Sequence, residues 1–237
     1  MNLLKEFSLE EKCSYLENKK QTTHYKLIQN CSKESSQELI ERGFRRFGKM
    51  YFRPICAECN ECQSIKIDAQ NYIFSKSARR VLKKASAIST CIQKPALSHE
   101  HLELFEKYHL YMHEKKGWDY SPTNSEHYYN SFVSGASDFG YEVQYIFENK
   151  LIGVDLIDIL PDGISSIYFY YNPDYAHYSL GKLSLYKQIQ YAQRANKAWI
   201  YLGYYVKDCP SLSYKALYKP YKTLQGRPSE YEAFKWI

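Results

Sequence analysis

Cys56, Cys59 and Cys62 recur at three-residue intervals, and Cys13 stands ready to add a fourth thiol from farther up the chain. Four sulfurs are a donor set for zinc or an iron-sulfur cluster, because soft thiolates hold both. Reduced, partly buried thiols are the competing account, and the spacing alone does not bring Cys13 to the others. Cys31, Cys91 and Cys209 lack such spacing and read as packing residues. Arg45, Arg46 and Arg53 flank one short element together with Lys49 and Tyr51. A guanidinium meets a carboxylate through two parallel hydrogen bonds, so Arg45, Arg46, Arg53 and Tyr51 are candidates for holding an acidic side chain. Lys76, Arg79, Arg80, Lys83 and Lys84 form a second basic group whose spacing stacks cations on successive helical turns, a face that neutralises phosphates. Ordinary solvated surface is the alternative for each cation taken singly.

The elements that would position these groups follow from periodicity and punctuation. Ser8-Leu9-Glu10-Glu11 has the form of a capping box and predicts a short helix toward Leu16. Ser35 to Arg42 reads as a helix stopped by Gly43, Ser64 to Ala69 as a strand, and Ser77 to Lys84 as a helix. Leu102 to Lys115 carries apolar residues at helical spacing with Gly117 just beyond. His109 and His113 share a face there, but without a third ligand nearby they read as ordinary helix residues. From Tyr141 the period shortens to that of a meander, with strands Tyr141 to Phe147, Leu151 to Leu160 and Ile164 to Tyr171. A helix from Leu180 to Asn196 and a strand from Trp199 to Val206 complete the pattern. Pro95 interrupts any continuing element, which divides the chain into an N-terminal module (1–94) and a C-terminal domain (95–237).

Three blocks, in order, resemble the bacterial aspartate/glutamate leucyltransferases, relatives of the eukaryotic arginyl-tRNA-protein transferases. The first holds CSYL at Cys13 to Leu16, GFRRFGKMYFRPICAECNEC at Gly43 to Cys62 and SKSARR at Ser75 to Arg80. The second holds DILPDGISSIYFYYNPDY at Asp158 to Tyr175 and SLGKLSLYKQIQYAQ at Ser179 to Gln193. The third is IYLGYYVKDCPSLSYKALYKP at Ile200 to Pro220. Phe47, Phe52, Asn172 and the pair Ser211-Leu212 depart from the family patterns. The resemblance implies an α+β architecture with a GNAT-like (N-acetyltransferase-like) C-terminal domain. It further implies transfer of leucine from leucyl-tRNA to proteins beginning with Asp or Glu, marking them for degradation. An arginyl donor is the nearest alternative, and a non-catalytic RNA-binding module with a structural metal is one of another class.

Such a reaction asks mainly for placement. The aminoacyl ester is already activated, so neither ATP nor acetyl-CoA is required, and an α-amino group of pKa about 7.7 to 8.0 is partly neutral near pH 7. Donors must steady the oxyanion and an acid must assist the leaving ribose oxygen. Tyr170, Tyr171, Tyr204 and Lys215 are the leading candidates, with Tyr168, Tyr201, Tyr205 and Tyr214 beside them. Asp158, or Asp174, is the candidate proton acceptor. Under this resemblance the Arg45 cluster reads the acceptor's carboxylate, and the Lys76 to Lys84 group contacts tRNA. Ser179-Leu180-Gly181 opens a helix that could bind an anion, without the richer glycine pattern of a coenzyme A loop.

Composition permits this and excludes other classes. The 237 residues carry a formal net charge of +6, with 44% hydrophobic and 24% charged residues, the profile of a folded protein; the charge favours a polyanionic partner, but on charge alone a mildly basic globular enzyme is the better account. No run of about 18 apolar residues and no cleavable leader pattern occurs, so a cytoplasmic location is expected. No GxxxxGKS loop, HExxH helix or GxSxG elbow is present, which removes support for nucleotide hydrolysis, metalloproteolysis and serine hydrolysis. The 25 tyrosines supply apolar faces with polar tips, a composition suited to lining a substrate groove.

Overall fold

The computed structural model describes residues 1–237 throughout. Its first half begins with a four-stranded antiparallel sheet of order β1-β2-β4-β3, where β1 is Asn2–Lys12, β2 Lys20–Gln29, β3 Arg45–Phe47 and β4 Met50–Pro54. The expected helix from Ser8 is absent. Ser8 to Lys12 pair instead with His24 to Lys20 of β2, and Phe7 stacks on Tyr25 at 5.2 Å, so cross-strand pairing overrides the local capping signal. Helix α1 (Lys33–Glu41) packs Leu39 and Ile40 into a small core with Ile28, Phe44 and Tyr51.

A seven-stranded sheet of order β11-β5-β10-β9-β8-β7-β6 forms the larger layer. Its members are β5 (Gln63–Asp68), β6 (Ser89–Gln93), β7 (Gly140–Phe147), β8 (Lys150–Ile159), β9 (Gly163–Tyr171), β10 (Trp199–Tyr205) and β11 (Tyr221–Thr223). Strands β5 and β6 precede Pro95 in the chain yet sit in this sheet, β5 between β10 and β11, so the sheet draws on both halves of the sequence. Helices α2 (Lys76–Lys84) and α5 (Leu180–Arg194) contribute to the core on one face, where Ala78, Leu183 and Ile189 meet Ile67, Ile152 and Ile200. Helix α3 (His99–Lys116) covers other residues of β8 and β9 and ends where Gly117 takes the left-handed conformation, φ 66°. Short helices α4 (Ser125–Tyr128) and α6 (Pro210–Ser213), a π-helical turn at Tyr129–Val133 and 3-10 segments at Pro173–Tyr178 and Tyr214–Leu217 complete the element set.

Meander β7-β8-β9, helix α5 and strand β10 form the GNAT-like unit. Its defining feature is a splay: β10 runs parallel to β9 for only three residue pairs, Trp199–Gly163 to Tyr201–Ser165, and then the strands part. Both are bulged there. The register of β8 against β9 slips so that Ile167 is the extra residue, and β10 slips against β5 at Leu202-Gly203.

Beneath the sheet, Asp155 is fully buried, with Oδ2 accepting from Gln188 Nε2 at 2.8 Å. Asp155 Oδ1, Gln188 Oε1 and Tyr145 Oη have no partners. Burial pushes the Asp155 carboxyl up to about 7. The native state therefore keeps a proton that the unfolded chain releases near pH 4, and stability falls as pH rises from about 4 to 7. Asp155→Asn removes that cost and offers an amide donor to Gln188. Chemical denaturation should show the variant roughly 2–4 kcal/mol more stable than the parent at pH 8 and no more stable at pH 4. Equal differences at both pH values would exclude the buried charge as the cause.

Candidate active site

The splay opens into a cavity of about 730 Å3, walled by Phe47, Phe52, Tyr108, Met112 and Trp118 among others. Arg45 fills its apex. From β3 the guanidinium donates through Nη2 to the carbonyls of Ser166 (3.1 Å) and Ile167 (2.9 Å), and through Nη1 to Leu202 (3.3 Å). The bulge at Ile167 allows two consecutive carbonyls of β9 to face one cation. Gly203 is required by the same contact: its φ is +74°, and a Cβ there would lie 2.0 Å from Arg45 Nη1. The N-terminal sheet thus places a cation where the two central strands separate.

Lys215, in the short 3-10 segment Tyr214–Leu217, reaches the cavity from the other side, 5% exposed, with Nζ donating to Tyr204 O at 2.6 Å. Burial first, and then the Arg45 charge, hold its ammonium well below the usual lysine range. Tyr168 donates to His109 Nε2 at 2.8 Å, while His109 Nδ1 donates to Phe105 O at 2.8 Å. Burial pulls the His109 pKa down and so favours the neutral ring, in which Nδ1–H on Phe105 O leaves Nε2 to accept from Tyr168. The Tyr168 hydroxyl is therefore oriented toward His109 with its oxygen lone pairs free for a ligand. Lys115 and Lys116, at the end of α3, stand on the cavity rim. Of the ionisable side chains lining the cavity, Arg45, Lys115 and Lys116 are cationic, Lys215 is a lysine whose charge burial disfavours, and no carboxylate is present.

Several residues expected in the site serve the framework instead. Arg46 is 3% exposed and forks onto Asp158, with Nε–Oδ2 2.8 Å and Nη2–Oδ1 2.5 Å, while Nη1 donates to Gly48 O. Neither partner can reach an acceptor or take its proton, since removing either would strand a buried charge at a cost of about 3–5 kcal/mol. Arg53 donates to Arg42 O and Pro228 O and lies over the Phe44 ring, clear of the cavity. Tyr51 is buried with its hydroxyl on Ser36 Oγ. Tyr170 spends its hydroxyl on Tyr128, and Tyr204 donates to Phe52 O at 3.0 Å. Tyr201 bonds Glu41 and Asp162, and Asp174 is an exposed partner of Lys107. Arg45, Tyr168, Tyr171, Tyr214 and Lys215 do line the cavity. Ser14, Tyr15, Lys115, Lys116 and Trp118 line it too, with His109 held behind Tyr168 as its hydrogen-bond partner, although no spacing in the sequence assigns them there.

The cysteines gather behind one wall. The Cys62 thiol is pushed up to about 12 by burial and then by Cys13, Cys56 and Cys59, which makes all of these neighbours. Thr22 N–H donates to Cys56 Sγ at 3.4 Å, and Arg227 donates to the carbonyls of Cys56 and Cys59, so the loop is held by its surroundings. The side chains do not converge on one centre: no three His, Cys, Asp or Glu groups are placed to share a metal ion. Ser14 and Tyr15, next to Cys13, are lining residues of the cavity. All the cations of α2 expected to meet phosphates, Lys76, Arg79, Arg80, Lys83 and Lys84, are exposed.

The splay between β9 and β10 thus frames a cavity with one seated guanidinium and one buried lysine, and the family to which the chain belongs is one of transferases. Family models described as arginine-tRNA-protein transferase, N terminus and C terminus, match residues 11–80 and 100–225. The chain belongs to that transferase family. It is 50% identical over 225 residues to a Campylobacter jejuni protein named aspartate/glutamate leucyltransferase, covering 95% of this chain and 94% of that one. Proteins of the same name from Helicobacter hepaticus and Pseudomonas putida are 41% and 33% identical, covering 100% and 90% of this chain and 98% and 89% of theirs. No helix is long and apolar enough to cross a membrane.

Proposed function

We propose that this protein moves leucine from leucyl-tRNA onto the α-amino group of proteins beginning with Asp or Glu. The observation that carries the reading is the cavity's lining: broad aromatic walls, cations and no carboxylate. Apolar walls suit a leucyl side chain, and the cations suit the acceptor carboxylate and the phosphates of tRNA. An arginyl side chain would enter the same space as an unpaired like charge, a mismatch that costs several kcal/mol.

In the reaction, the acceptor nitrogen attacks the ester carbonyl, an amide bond forms, and the carbon–oxygen bond to the ribose breaks. Lys215, whose pKa is pulled down by burial and by the Arg45 charge, takes a proton from the attacking amine, and the ribose oxygen leaves protonated. Arg45 and the Tyr168 hydroxyl hold the reacting groups against β9, while Lys115 and Lys116 meet the acceptor's acidic side chain at the rim. The exposed cations of α2 contact tRNA phosphates. The aromatic walls exclude water that would otherwise hydrolyse the ester.

Purified protein with labelled leucyl- or arginyl-tRNA and peptides beginning with Asp, Glu or Gln tests this directly. Label from leucyl-tRNA should enter the Asp and Glu peptides, with the Gln peptide at least about tenfold poorer, since a hydrogen bond to a charged group is worth roughly 1.5–3 kcal/mol. Label transferred from arginyl-tRNA alone would replace the donor assignment. tRNA binding with no transfer from either donor would leave an RNA-binding module.

The thiols of Cys13, Cys56, Cys59 and Cys62 suit zinc or an iron-sulfur cluster by donor chemistry, but as placed they do not converge, so holding either would require them to draw together. A bound metal would clamp the hairpin that carries Ser14 and Tyr15 against the loop after β4. Protein purified without oxygen should hold about one zinc or one cluster per chain, and Cys59→Ser should lower metal content and melting temperature together. Metal-free protein with unchanged melting would make these ordinary thiols.

A further inference from the structure

A second cavity, of about 600 Å3, adjoins the first and shares Tyr171, Gly181 and Tyr214 with it. A Cβ at Gly181 would meet nothing within 4 Å, so the passage between the two is open at that point. Aromatic faces line the groove: Tyr72 lies nearly parallel to Tyr218, centroids 6.5 Å apart, and Tyr186 lies 5.9 Å from Tyr218. Its two lips carry Ile73 and Leu217, 84% and 79% exposed, an unusual outlay of apolar surface beside a groove. Lys182 and Lys219 are exposed lining residues, and no carboxylate lines the groove. At one end Ser75 caps α2, whose exposed Lys76 and Arg79 continue the positive surface.

We propose that this groove takes the unpaired 3′-terminal nucleotides of the charged tRNA, delivering the ester through the Gly181 passage to Arg45 and Lys215. The inference rests on the aminoacyl-tRNA reading above and deepens it. Unstacked bases bind aromatic and apolar faces through their π-surfaces, whichever base is present, while flanking cations follow the backbone. An acceptor polypeptide offers no run of phosphates, and flat rings only where its sequence happens to carry aromatic side chains. The geometry also fits the chemistry, since the aminoacyl group sits at the terminus of the strand and must emerge beside the splay.

The test compares binding of intact tRNA with tRNA lacking its unpaired 3′ nucleotides, for the parent protein and an Ile73→Glu/Leu217→Glu variant. Both substitutions are on exposed lips and spare the core. The parent should bind intact tRNA at least about tenfold more tightly than truncated tRNA, given what base stacking contributes. In the variant that ratio should fall toward one, with the truncated RNA bound as before and the peptide KM unchanged. Arg79→Ala/Arg80→Ala should weaken both RNAs alike and preserve the ratio. An undiminished ratio in the lip variant overturns the proposal, as does equal weakening of both RNAs. A raised peptide KM with an unchanged ratio would assign the groove to the acceptor. Failure of the parent to bind any tRNA would instead defeat the functional reading itself.

Discussion

Lys215→Met should lower the rate of leucyl transfer by about 10²–10⁴-fold, the usual contribution of a positioned general base, while tRNA affinity stays within about twofold. The side chain has little else to do: it is buried, makes one bond to Tyr204 O, and lies beside the Arg45 charge that disfavours its own. Lys215→Arg should fail as well, because a guanidinium keeps its proton and cannot accept one. A near-normal rate in the Arg variant would mean that only positive charge is needed, and the base would have to be sought elsewhere. Stability supplies a separate reading with a definite sign. Because the folded-state pKa lies well below the lysine reference of about 10.4, the unfolded chain binds the extra proton in between, and stability rises with pH across that window. The Met variant lacks this rise. Melting followed from pH 7 to 10 should therefore show the parent gaining on the variant; parallel curves would mean that Lys215 is charged in the fold.

Much of the scaffold was legible from the sequence, and the limits have physical causes. The meander from Tyr141, helix α5 and strand β10 announce themselves because β7 and α5 follow the period of their own geometry, while β8, β9 and β10, buried on both faces over much of their length, read as short apolar runs between turn signals. The hairpin strand β1 does not, since nearly all of it is exposed and its shape depends on pairing with β2. The site was legible as a region and not as individual side chains. Arg45 and Arg46 are adjacent in the same short strand, so their side chains leave on opposite faces. One enters the splay and the other meets Asp158 in the core, and nothing local says which. The tyrosines pose the same difficulty. Tyr168 meets the cavity while Tyr170, two residues on, is sealed by Tyr128, a partner more than forty residues away in sequence. His109 gained its place only through the approach of α3 to β9.

The splay itself offers the other large effect, through Gly203. Gly203→Ala should reduce transfer by more than about 100-fold and destabilise the protein by roughly 3 kcal/mol, for two separable reasons. The positive φ alone disfavours a Cβ by about 1 kcal/mol, and the clash with Arg45 Nη1 adds the cost of expelling a cation from three carbonyl partners. Arg45→Ala removes the object of the clash. In that background Gly203→Ala should cost only the conformational part, about 1 kcal/mol, so the double-mutant cycle should show a coupling of roughly 2 kcal/mol. Transfer should be low in Arg45→Ala and fall little further on adding Gly203→Ala. Simple additivity in both stability and rate would mean that the guanidinium is not seated in the wedge. Arg45→Lys sharpens the point, because one ammonium cannot span carbonyls on two diverging strands with the fixed fork that a guanidinium provides. If Arg45 works only as a positive charge near Lys215, the Lys variant should keep most of the rate. If it works by holding β9 and β10 apart at the correct width, the rate should fall nearly as far as with Ala.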